Sequence, residues 1–364
     1  MKIVAISNQK GGCGKTTTAI NLASSLALLG RKTLLIDLDP QAHATFGLGI
    51  RSEQISGSMF NVLTEQSEKK KKFLEDIIIP IEEGLDLAPS HILLSTIEQE
   101  FTNKDESVSR LYEVLQTLSF PYEFVIIDCP PSLGFLTFNA LRCAHLVIVP
   151  VELSSFSLMG VDKLLSMIEL IRVKLQHTPK VLALPTIVDM RSNLSKHMMD
   201  QIRETFGDHV LSTPIRQTVA IRESQMKGVS LLRHSPKCKG AIDYLVLSQE
   251  VLSKVMPDSV RESMPSARIT AGQGDEVPNF LRDFSLNIEN AQEVHVVGDF
   301  NNWSVSDQSK LWENEKGVWQ KRVYLEPGKH RYKFIIDGNW VNDPSNDTIE
   351  SNPYGGMDSV VEIH

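Results

Sequence analysis

The chain contains 364 residues with a formal net charge of −8, and 41% of them are hydrophobic and 23% charged, as in ordinary soluble globular domains. Its length favours two or three domains over one, and no run of residues approaches the about 18 apolar residues of a membrane-spanning helix. The lack of such a run excludes a membrane-spanning protein. Disulfide-rich and zinc-finger proteins are excluded because the four cysteines lie far apart, at Cys13, Cys129, Cys143 and Cys238.

Charge and aromatic residues are unevenly distributed along the chain. Residues 1–260 hold 27 Lys and Arg against 28 Asp and Glu, whereas residues 261–364 hold 10 against 17 together with all four tryptophans. The polar stretch between these parts is rich in Pro, Ser and Gly, which is typical of a linker. We therefore predict a first domain at 1–255, a linker at 256–278 and a second domain at 279–364.

Short runs rich in Val, Ile and Leu alternate with longer helical patterns in the first domain. The runs are apolar on both faces, as strands of a parallel sheet covered on both sides are. They lie at 2–7, 32–37, 124–128, 145–151 and 181–188. Between the first two runs, residues 16–29 carry apolar side chains at helical spacing and are followed by Gly30. This strand-helix-strand unit predicts a doubly wound α/β fold with a mostly parallel sheet.

The link between the first run and this helix has the composition of a phosphate-binding loop. Its glycines allow backbone N–H groups to surround an oxyanion, and the helix N-terminus adds the positive end of a dipole. The second lysine can reach the β- and γ-phosphates, and the hydroxyl after it can bind Mg²⁺. The segment reads Lys10-Gly11-Gly12-Cys13-Gly14-Lys15-Thr16-Thr17. We predict that Gly11–Thr17 contact ATP and that Thr16 binds the metal.

Acidic residues follow two of the predicted strands. Asp39 lies just beyond the second run, and Asp128 ends the run Val125–Asp128 before two prolines. Open α/β sheets hold their ligands at the carboxyl ends of the strands, where the phosphate loop also lies. We therefore predict that Asp128 is a Walker B carboxylate that holds Mg²⁺.

The phosphate loop departs from the usual pattern, because its first glycine position holds Gln9 and an extra lysine, Lys10, precedes the double glycine. With the segments 132–141 and 191–195, residues 1–255 resemble the ParA/Soj/MinD family of deviant Walker A ATPases, specifically its Soj branch. The resemblance implies an Mg²⁺-dependent ATPase (a P-loop NTPase) whose homodimer encloses ATP. It implies that Lys10 reaches the partner's phosphates, that Lys15 binds them in its own subunit, and that Asp39 in switch I orients the attacking water.

Soj-like ATPases bind DNA non-specifically as ATP-bound dimers, which directs attention to basic residues. Residues 216–239 hold six basic residues against one acidic residue, Glu223. No aromatic residue interleaves, so contact with backbone phosphates is the natural use of this segment. A solvated polar surface is the alternative interpretation. The DNA-binding candidates are Arg191, Arg216, Arg222 and Lys227.

The second domain follows a different pattern, with period-two alternation and frequent turns. The dipeptide Asp337-Gly338 between two apolar runs is a strong hairpin signal. Short strands of this kind within one small domain predict an all-β, immunoglobulin-like sandwich. The predicted strands lie at 284–288, 293–297, 318–325, 331–337 and 359–363.

Motifs at 297–303, 327–334, 337–340 and 343–344 resemble the glycogen-binding domain of the AMP-activated protein kinase β subunit, a member of carbohydrate-binding module family 48. The resemblance implies that Trp303 and Trp340 stack on glucose rings and that Lys333 donates hydrogen bonds to hydroxyls. Asp358 stands where the family has an asparagine, and a carboxylate accepts hydrogen bonds without donating them. The alternative is that both tryptophans pack against the first domain, since exposed aromatic patches also serve protein interfaces.

Together these features predict a cytoplasmic, nucleoid-associated ATPase that partitions DNA or positions a cargo, stimulated by a ParB-like protein. The β module predicts α-glucan, such as glycogen, as the cargo or as a regulatory ligand. A membrane anchor like that of MinD is not expected, because the segment after Val255 is polar and broken by prolines. Two alternatives stay open: a glucan-sensing regulatory ATPase that acts on an enzyme partner without DNA, and a non-hydrolysing nucleotide-dependent scaffold.

Overall fold

A computed structural model of the chain describes residues 1–64, 72–100, 108–153, 160–189, 193–256, 281–288, 291–305, 309–313, 317–325, 328–352 and 355–363. The chain divides into two compact units, Met1–Arg261 and Glu262–His364. The predicted linker at 256–278 lies outside the described residues except for Met256, and Arg191 also lies outside them. Each unit is described separately below.

A single mixed sheet forms the centre of the first unit. Its described strands are β1 (Lys2–Ile6), β2 (Thr33–Asp37), β3 (Ile79–Glu82), β4 (Leu85–Ala88), β5 (Phe124–Asp128), β6 (Leu146–Glu152) and β7 (Lys180–Thr186). Their order across the sheet is β3-β4-β2-β5-β1-β6-β7, and the pairs are parallel except for β3 with β4. The five predicted strands are confirmed, whereas the β3–β4 hairpin at the sheet edge was not predicted.

Helices connect the strands and cover the sheet. The described helices are α1 (Lys15–Leu28), α2 (His43–Gly47), α3 (Met59–Leu63), α4 (Arg110–Gln116), α5 (Phe135–Cys143), α6 (Val161–Leu175), α7 (Asn193–Phe206), α8 (Val219–Lys227), α9 (Leu231–His234) and α10 (Lys239–Val255). Short 3-10 helices lie at Ser52–Gln54, Leu74–Ile77 and Ile92–Glu100. The predicted first helix is confirmed, and Gly30 follows it with a left-handed φ of 76°.

Both faces of the sheet are buried, as the doubly apolar strands predict. Ile3 and Ala5 of β1 pack in one core with residues of α4 to α7. Val4 and Ile6 point to the opposite face, where α1 and α10 pack on each other, and they are equally buried. The first unit is therefore a doubly wound α/β domain whose central strands end at one common edge.

The described strands of the second unit pair antiparallel. They are β8 (Leu281–Asn287), β9 (Val294–Gly298), β10 (Trp312–Glu313), β11 (Val318–Tyr324), β12 (Gly328–Ile336), β13 (Asn339–Val341), β14 (Ile349–Ser351) and β15 (Met357–Ile363), with a 3-10 turn at Asp299–Asn301. One described sheet has the order β10-β11-β8, and the other has the order β13-β12-β15-β14 with β9 paired to β12. This arrangement confirms the predicted β-sandwich.

The side chains between these two sheets form one apolar core. Phe284 of β8 and Phe334 of β12 belong to it, with ring centroids 6.4 Å apart. Trp319 is buried in the same core, as its mid-strand position suggests. The predicted hairpin is present as well: Ile336 pairs with Asn339, and both residues between them have positive φ.

Candidate functional site

The loop between β1 and α1 has an open, glycine-lined surface. Gly12 and Gly14 have φ values of 78° and 90°, a left-handed conformation that side chains with a Cβ rarely adopt. A Cβ added to Gly11 or Gly12 would meet no atom within 4 Å, so this backbone faces open space. Such a loop at the N-terminus of a 14-residue helix suits a phosphate group.

The two lysines of the loop are held by different acceptors. Lys15 is buried, and its Nζ donates to the backbone oxygen of Lys10 at 2.9 Å. The Nζ of Lys10 forms an ion pair with Glu152 at the end of β6, 2.6 Å from Oε2. In this conformation Lys10 is therefore bound within its own chain. Sequence analysis missed Glu152, although its position at a strand end on this edge is a signal of the same kind as that of Asp128.

The remaining loop residues are anchored to neighbouring elements. The buried Cys13 thiol donates to the oxygen of Lys10 at 3.1 Å, and its own carbonyl accepts from the Thr186 hydroxyl at 2.8 Å. Burial raises the pKa of the Cys13 thiol. The Thr17 hydroxyl accepts from Gln225 of α8 at 3.1 Å. Cys13 thus contributes its backbone to the loop, while its side chain packs inward.

Asp128 is a fully buried carboxylate whose two oxygens have no hydrogen-bond partner among the described residues. Burial, reinforced by the neighbouring carboxylate of Asp37, raises the pKa of Asp128 well above its ordinary range, while the nearby Thr16 hydroxyl and the Lys15 ammonium oppose that increase. A buried carboxylate without a partner is unfavourable unless a cation or donors compensate for its charge. Because Mg²⁺ prefers oxygen ligands, Asp128 and Thr16 fit a magnesium ion.

A second buried carboxylate, Asp37, lies beside Asp128 in the register of β2 and β5. Its Oδ1 accepts from the N–H of Asp39 at 3.1 Å, and its Oδ2 accepts from the N–H and the hydroxyl of Thr45 at 2.8 and 2.7 Å. Burial raises the pKa of Asp37 to about 7. Sequence analysis selected Asp39 and passed over Asp37, although both carry the strand-end signal. The structure brings Asp37, Asp39 and Asp128 to the edge where the phosphate loop lies.

The raised pKa of Asp37 predicts how the stability of the magnesium-free protein depends on pH. Between pH 3.8 and about 7, the Asp37 carboxyl is protonated in the folded state but ionised in the unfolded state. The raised pKa of Asp128 acts in the same direction. The free energy of unfolding of the first unit should therefore decrease from pH 5 to pH 7.5, by roughly 2 to 4 kcal/mol. Urea unfolding followed by the far-UV helical signal measures it, because the described α-helices lie in this unit.

Variants separate this effect from the titration of the rest of the chain. Asp37→Asn should show a clearly smaller decrease over the same pH interval, whereas Asp208→Asn, which changes an exposed carboxylate, should match the wild type. A wild-type free energy of unfolding that rises from pH 5 to pH 7.5 would contradict the expected direction. So would an Asp37→Asn protein with the full wild-type decrease.

The basic residues near α8 differ in their surroundings. Arg222 and Lys227 of α8 are exposed, as are Arg233, Lys237 and Lys239. The guanidinium of Arg216 forms a two-pronged ion pair with Asp243, whose buried carboxylate lies 2.7 Å from Nη2 and 3.0 Å from Nε. Reversing the charge of Arg216 would therefore also leave a buried carboxylate unpaired. Arg222 and Lys227 are the cleaner candidates for contact with DNA.

The predicted carbohydrate-binding residues of the second unit lie on one sheet face. Tyr332 and Phe334 of β12 point into the core, so Lys333 points to the opposite, outer face. Trp340 pairs with Ile335, two positions along β12, and 52% of its surface is exposed. The rings of Trp303 and Trp340 lie 6.2 Å apart with a tilt of 35° between their planes. The half-buried indole of Trp303 and the exposed indole of Trp340 thus form an aromatic platform next to Lys333.

Asp358 lies beside Lys333 but contributes little surface of its own. It is only 5% exposed, its Oδ1 lies 3.5 Å from the Nζ of Lys333, and it accepts from the Nδ2 of Asn352 at 2.8 Å. Its carboxylate therefore holds two donors that lie closer to solvent. Asn352 was not predicted, since its contact with Asp358 depends on the pairing of β14 with β15.

Comparison with known proteins identifies the family. Residues 1–181 match the family described as an AAA domain, and residues 287–364 match the glycogen recognition site of AMP-activated protein kinase. The chain is 37% identical over 262 residues to the chromosome partitioning protein ParA of Myxococcus xanthus, covering 71% of this chain and 91% of that protein. The chain belongs to the ParA/Soj family. It thus combines a ParA/Soj-type P-loop NTPase domain with a glycogen recognition domain.

Two further similar proteins extend this comparison. The chain is 36% identical over 251 residues to the sporulation initiation inhibitor protein Soj of Bacillus subtilis, covering 69% of this chain and 98% of that protein. The crystal structure of cobyrinic acid a,c-diamide synthase from Mycobacterium smegmatis with a bound ATP analogue and magnesium superposes with a TM-score of 0.60, at 32% identity, covering 69% of this chain and 94% of that one. Both resemblances predicted from the motifs are confirmed. In the part of the chain that the structure describes, no helix combines the length and the apolar character needed to span a bilayer.

Proposed function

We propose that this protein is an Mg²⁺-dependent ATPase whose homodimer encloses ATP, binds DNA, and releases it after hydrolysis. The observation that carries the proposal is the buried, unpartnered carboxylate of Asp128 beside an open phosphate loop. The chain is similar to ParA and to Soj, and a structurally similar protein binds an ATP analogue with magnesium. A scaffold that binds Mg²⁺-ATP without hydrolysing it would use the same carboxylate, so a turnover assay with DNA present separates the two functions.

The residues of this chain divide the work of phosphoryl transfer among them. The N–H groups of Gly11–Thr17 bind phosphate oxygens, and Lys15 neutralises their charge. Thr16 and Asp128 hold Mg²⁺, which, when bound, supplies positive charge to the triphosphate. Asp39 orients the attacking water. Lys10 acts across the dimer like an arginine finger, adding positive charge where the transferred group becomes more negative.

For Lys10 to act across the dimer, it must leave Glu152. Their ion pair is partly exposed, with 28% and 31% of the two side chains accessible, so it contributes little to stability and is easily exchanged. A triphosphate in the partner subunit carries more negative charge than one carboxylate. Binding of ATP between two subunits thus favours the exchange of Glu152 for phosphate.

ATP-dependent DNA binding tests this proposal directly. Arg222→Glu/Lys227→Glu should lower the affinity for duplex DNA about 10- to 100-fold in the presence of ATP. The reason is that the variant makes fewer phosphate contacts, so DNA binding releases fewer counterions. The plot of log affinity against log salt concentration should become less steep by about 2. Electrophoretic retardation or fluorescence anisotropy over a range of salt concentrations measures both quantities.

The matched control reverses two exposed lysines away from α8. Lys174 lies near the C-terminus of α6, and Lys180 is the first residue of β7. Both therefore lie near the amino ends of the parallel strands, opposite the phosphate loop. Lys174→Glu/Lys180→Glu should therefore bind DNA as the wild type does. Equal loss in both double variants would point to net charge alone. Wild-type protein that binds ATP and glycogen but not DNA would support the glucan-sensing regulator instead.

We further propose that the second unit binds α-glucan, either as the cargo or as a regulatory ligand. The supporting observation is the aromatic platform of Trp303 and Trp340 next to Lys333, on a domain that matches a glycogen recognition site. Aromatic faces bind the apolar faces of sugar rings, and ammonium groups donate to hydroxyls. In this proposal the protein is cytoplasmic and associates with the nucleoid, where a ParB-like protein stimulates ATP hydrolysis. The ATPase cycle would then position the glucan, as chromosome partitioning proteins position DNA.

A further inference from the structure

A closed network of hydrogen bonds surrounds the backbone of Asp39. Its N–H donates to Asp37 at 3.1 Å, and its carbonyl accepts from the Ser90 hydroxyl at 2.6 Å. The hydroxyl of Thr45 donates to Asp37 at 2.7 Å and accepts from the N–H of Ser90 at 3.0 Å. Asp37, Thr45 and Ser90 are fully buried. We call Asp37, Thr45 and Ser90 the Asp39 clamp.

We propose that Ser90 and Thr45 are positioning residues for Asp39, an inference that rests on the ATPase function proposed above. Neither side chain was selected from the sequence. Ser90 follows β4 and lies 51 positions from Asp39 along the chain. The clamp thus fixes the segment after β2 to a separate segment at the same sheet edge, and it does so around the residue assigned to orient water.

The direction of each hydrogen bond in the clamp is determined. The Thr45 hydroxyl donates to Asp37, which also accepts from the N–H groups of Asp39 and Thr45. The Thr45 oxygen is then available as the acceptor for the N–H of Ser90, and the Ser90 hydroxyl donates to the Asp39 carbonyl. Removing the Thr45 hydroxyl leaves the buried N–H of Ser90 without this acceptor. Removing the Ser90 hydroxyl leaves the Asp39 carbonyl with the N–H of Ala42, at 2.8 Å, and no longer connects it to the segment after β4. A misplacement of about 1 Å at such a position is sufficient to slow a reaction about 100-fold.

Two pairs of variants distinguish positioning from packing. Thr45→Val keeps the shape of the side chain and removes the hydroxyl, whereas Thr45→Ser keeps the hydroxyl and removes a methyl group. Thr45→Val and Ser90→Ala should each lower kcat for ATP about 10-fold, with KM for ATP within about twofold of the wild type. Thr45→Ser should stay within about twofold in both. Ser95→Ala, which removes an exposed hydroxyl bonded to Ile92, is the matched control.

A double variant tests whether Ser90 acts through Asp39. In the Asp39→Asn background, Ser90→Ala should cause no further decrease in kcat, because the group that it positions is already altered. A tenfold further decrease in that background would overturn the inference. So would wild-type kcat in Ser90→Ala, or a Thr45→Ser variant as slow as Thr45→Val.

Hydrogen exchange separates failure of this inference from failure of the proposed function. Amide exchange in the segment 37–45 should be clearly faster in Ser90→Ala and Thr45→Val than in the wild type and in Ser95→Ala. If the wild type and all variants lacked ATP turnover, the proposed function would fail and the exchange rates would still decide whether the clamp holds Asp39. Unchanged exchange in both variants would overturn the clamp regardless of turnover.

Discussion

Replacement of Asp128 by asparagine is expected to lower ATP turnover at least about 100-fold and, in the absence of Mg²⁺, to stabilise the folded protein. The two effects have one cause. The carboxylate is fully buried without a hydrogen-bond partner, and burial raises its pKa well above the ordinary range. A neutral amide of the same shape removes that unfavourable charge, but it also removes the anion that we propose holds Mg²⁺.

Turnover and stability of Asp128→Asn are measured on the same preparations. Phosphate release with ATP, Mg²⁺ and duplex DNA gives the rate, and urea unfolding with EDTA gives the stability at pH 7.5. The raised pKa predicts a higher free energy of unfolding than in the wild type at pH 7.5, and this difference should shrink towards lower pH, because protonation neutralises the wild-type carboxylate.

Asp208→Asn, which neutralises an exposed carboxylate, is the control and should change neither quantity. Mg²⁺ with ATP should then stabilise the wild type and leave Asp128→Asn almost unaffected, because ligand binding to the folded state raises its stability. A variant that is less stable than the wild type without Mg²⁺ would contradict the role of an uncompensated charge. Retention of more than about a tenth of the wild-type turnover would contradict the metal site.

The parts of the site that follow from local sequence were predictable. The phosphate loop needs only a strand, three glycines, a lysine and a helix start, which are contiguous at residues 2–28. Asp39 and Asp128 were found because the carboxyl ends of parallel strands meet at one edge. The hairpin at Asp337-Gly338 was found because both of its turn residues adopt positive φ, which few residue types tolerate.

The parts that depend on distant contacts were not predictable from these patterns. Ser90 reaches Asp39 across 51 positions, and Glu152 reaches Lys10 across 142. A serine or a glutamate has no local sequence pattern that identifies such a distant partner. The pairing of Arg216 with Asp243 was missed for the same reason: a basic residue in a basic segment resembles a solvated one until the opposing helix is placed.

The β3–β4 hairpin was missed for a different physical reason. Its strands have four residues each, β3 contains a proline and a glutamate, and the pairing shifts register between Pro80 and Glu82. Short, polar, irregular strands are typical of sheet edges, where regular pairing is less constrained. The apolar periodicity that identified the central strands is therefore weakest at this edge.

Loss of the aromatic platform is expected to produce the largest effect in the second unit. Trp303→Ala/Trp340→Ala should lower the affinity for glycogen at least about 30-fold, because each indole loses its stacking on a sugar ring. The two rings lie 6.2 Å apart and Trp340 is half exposed, so their removal leaves the core around Phe284, Phe334 and Trp319 intact. Co-sedimentation with glycogen over a range of concentrations measures the affinity.

The control removes an exposed apolar side chain from the other side of the same sheet. Ile349 pairs with Ser359 on the face opposite Lys333, and Ile349→Ala should therefore bind glycogen as the wild type does. Asp358→Ala should weaken binding by a smaller factor, since its carboxylate lies beneath Lys333 and Asn352 and acts by holding them. Equal recovery of the wild type and the double tryptophan variant would contradict a glucan site at this face. It would instead favour an interface with a protein, because an exposed aromatic pair on a sheet face is also the typical anchor of such contacts.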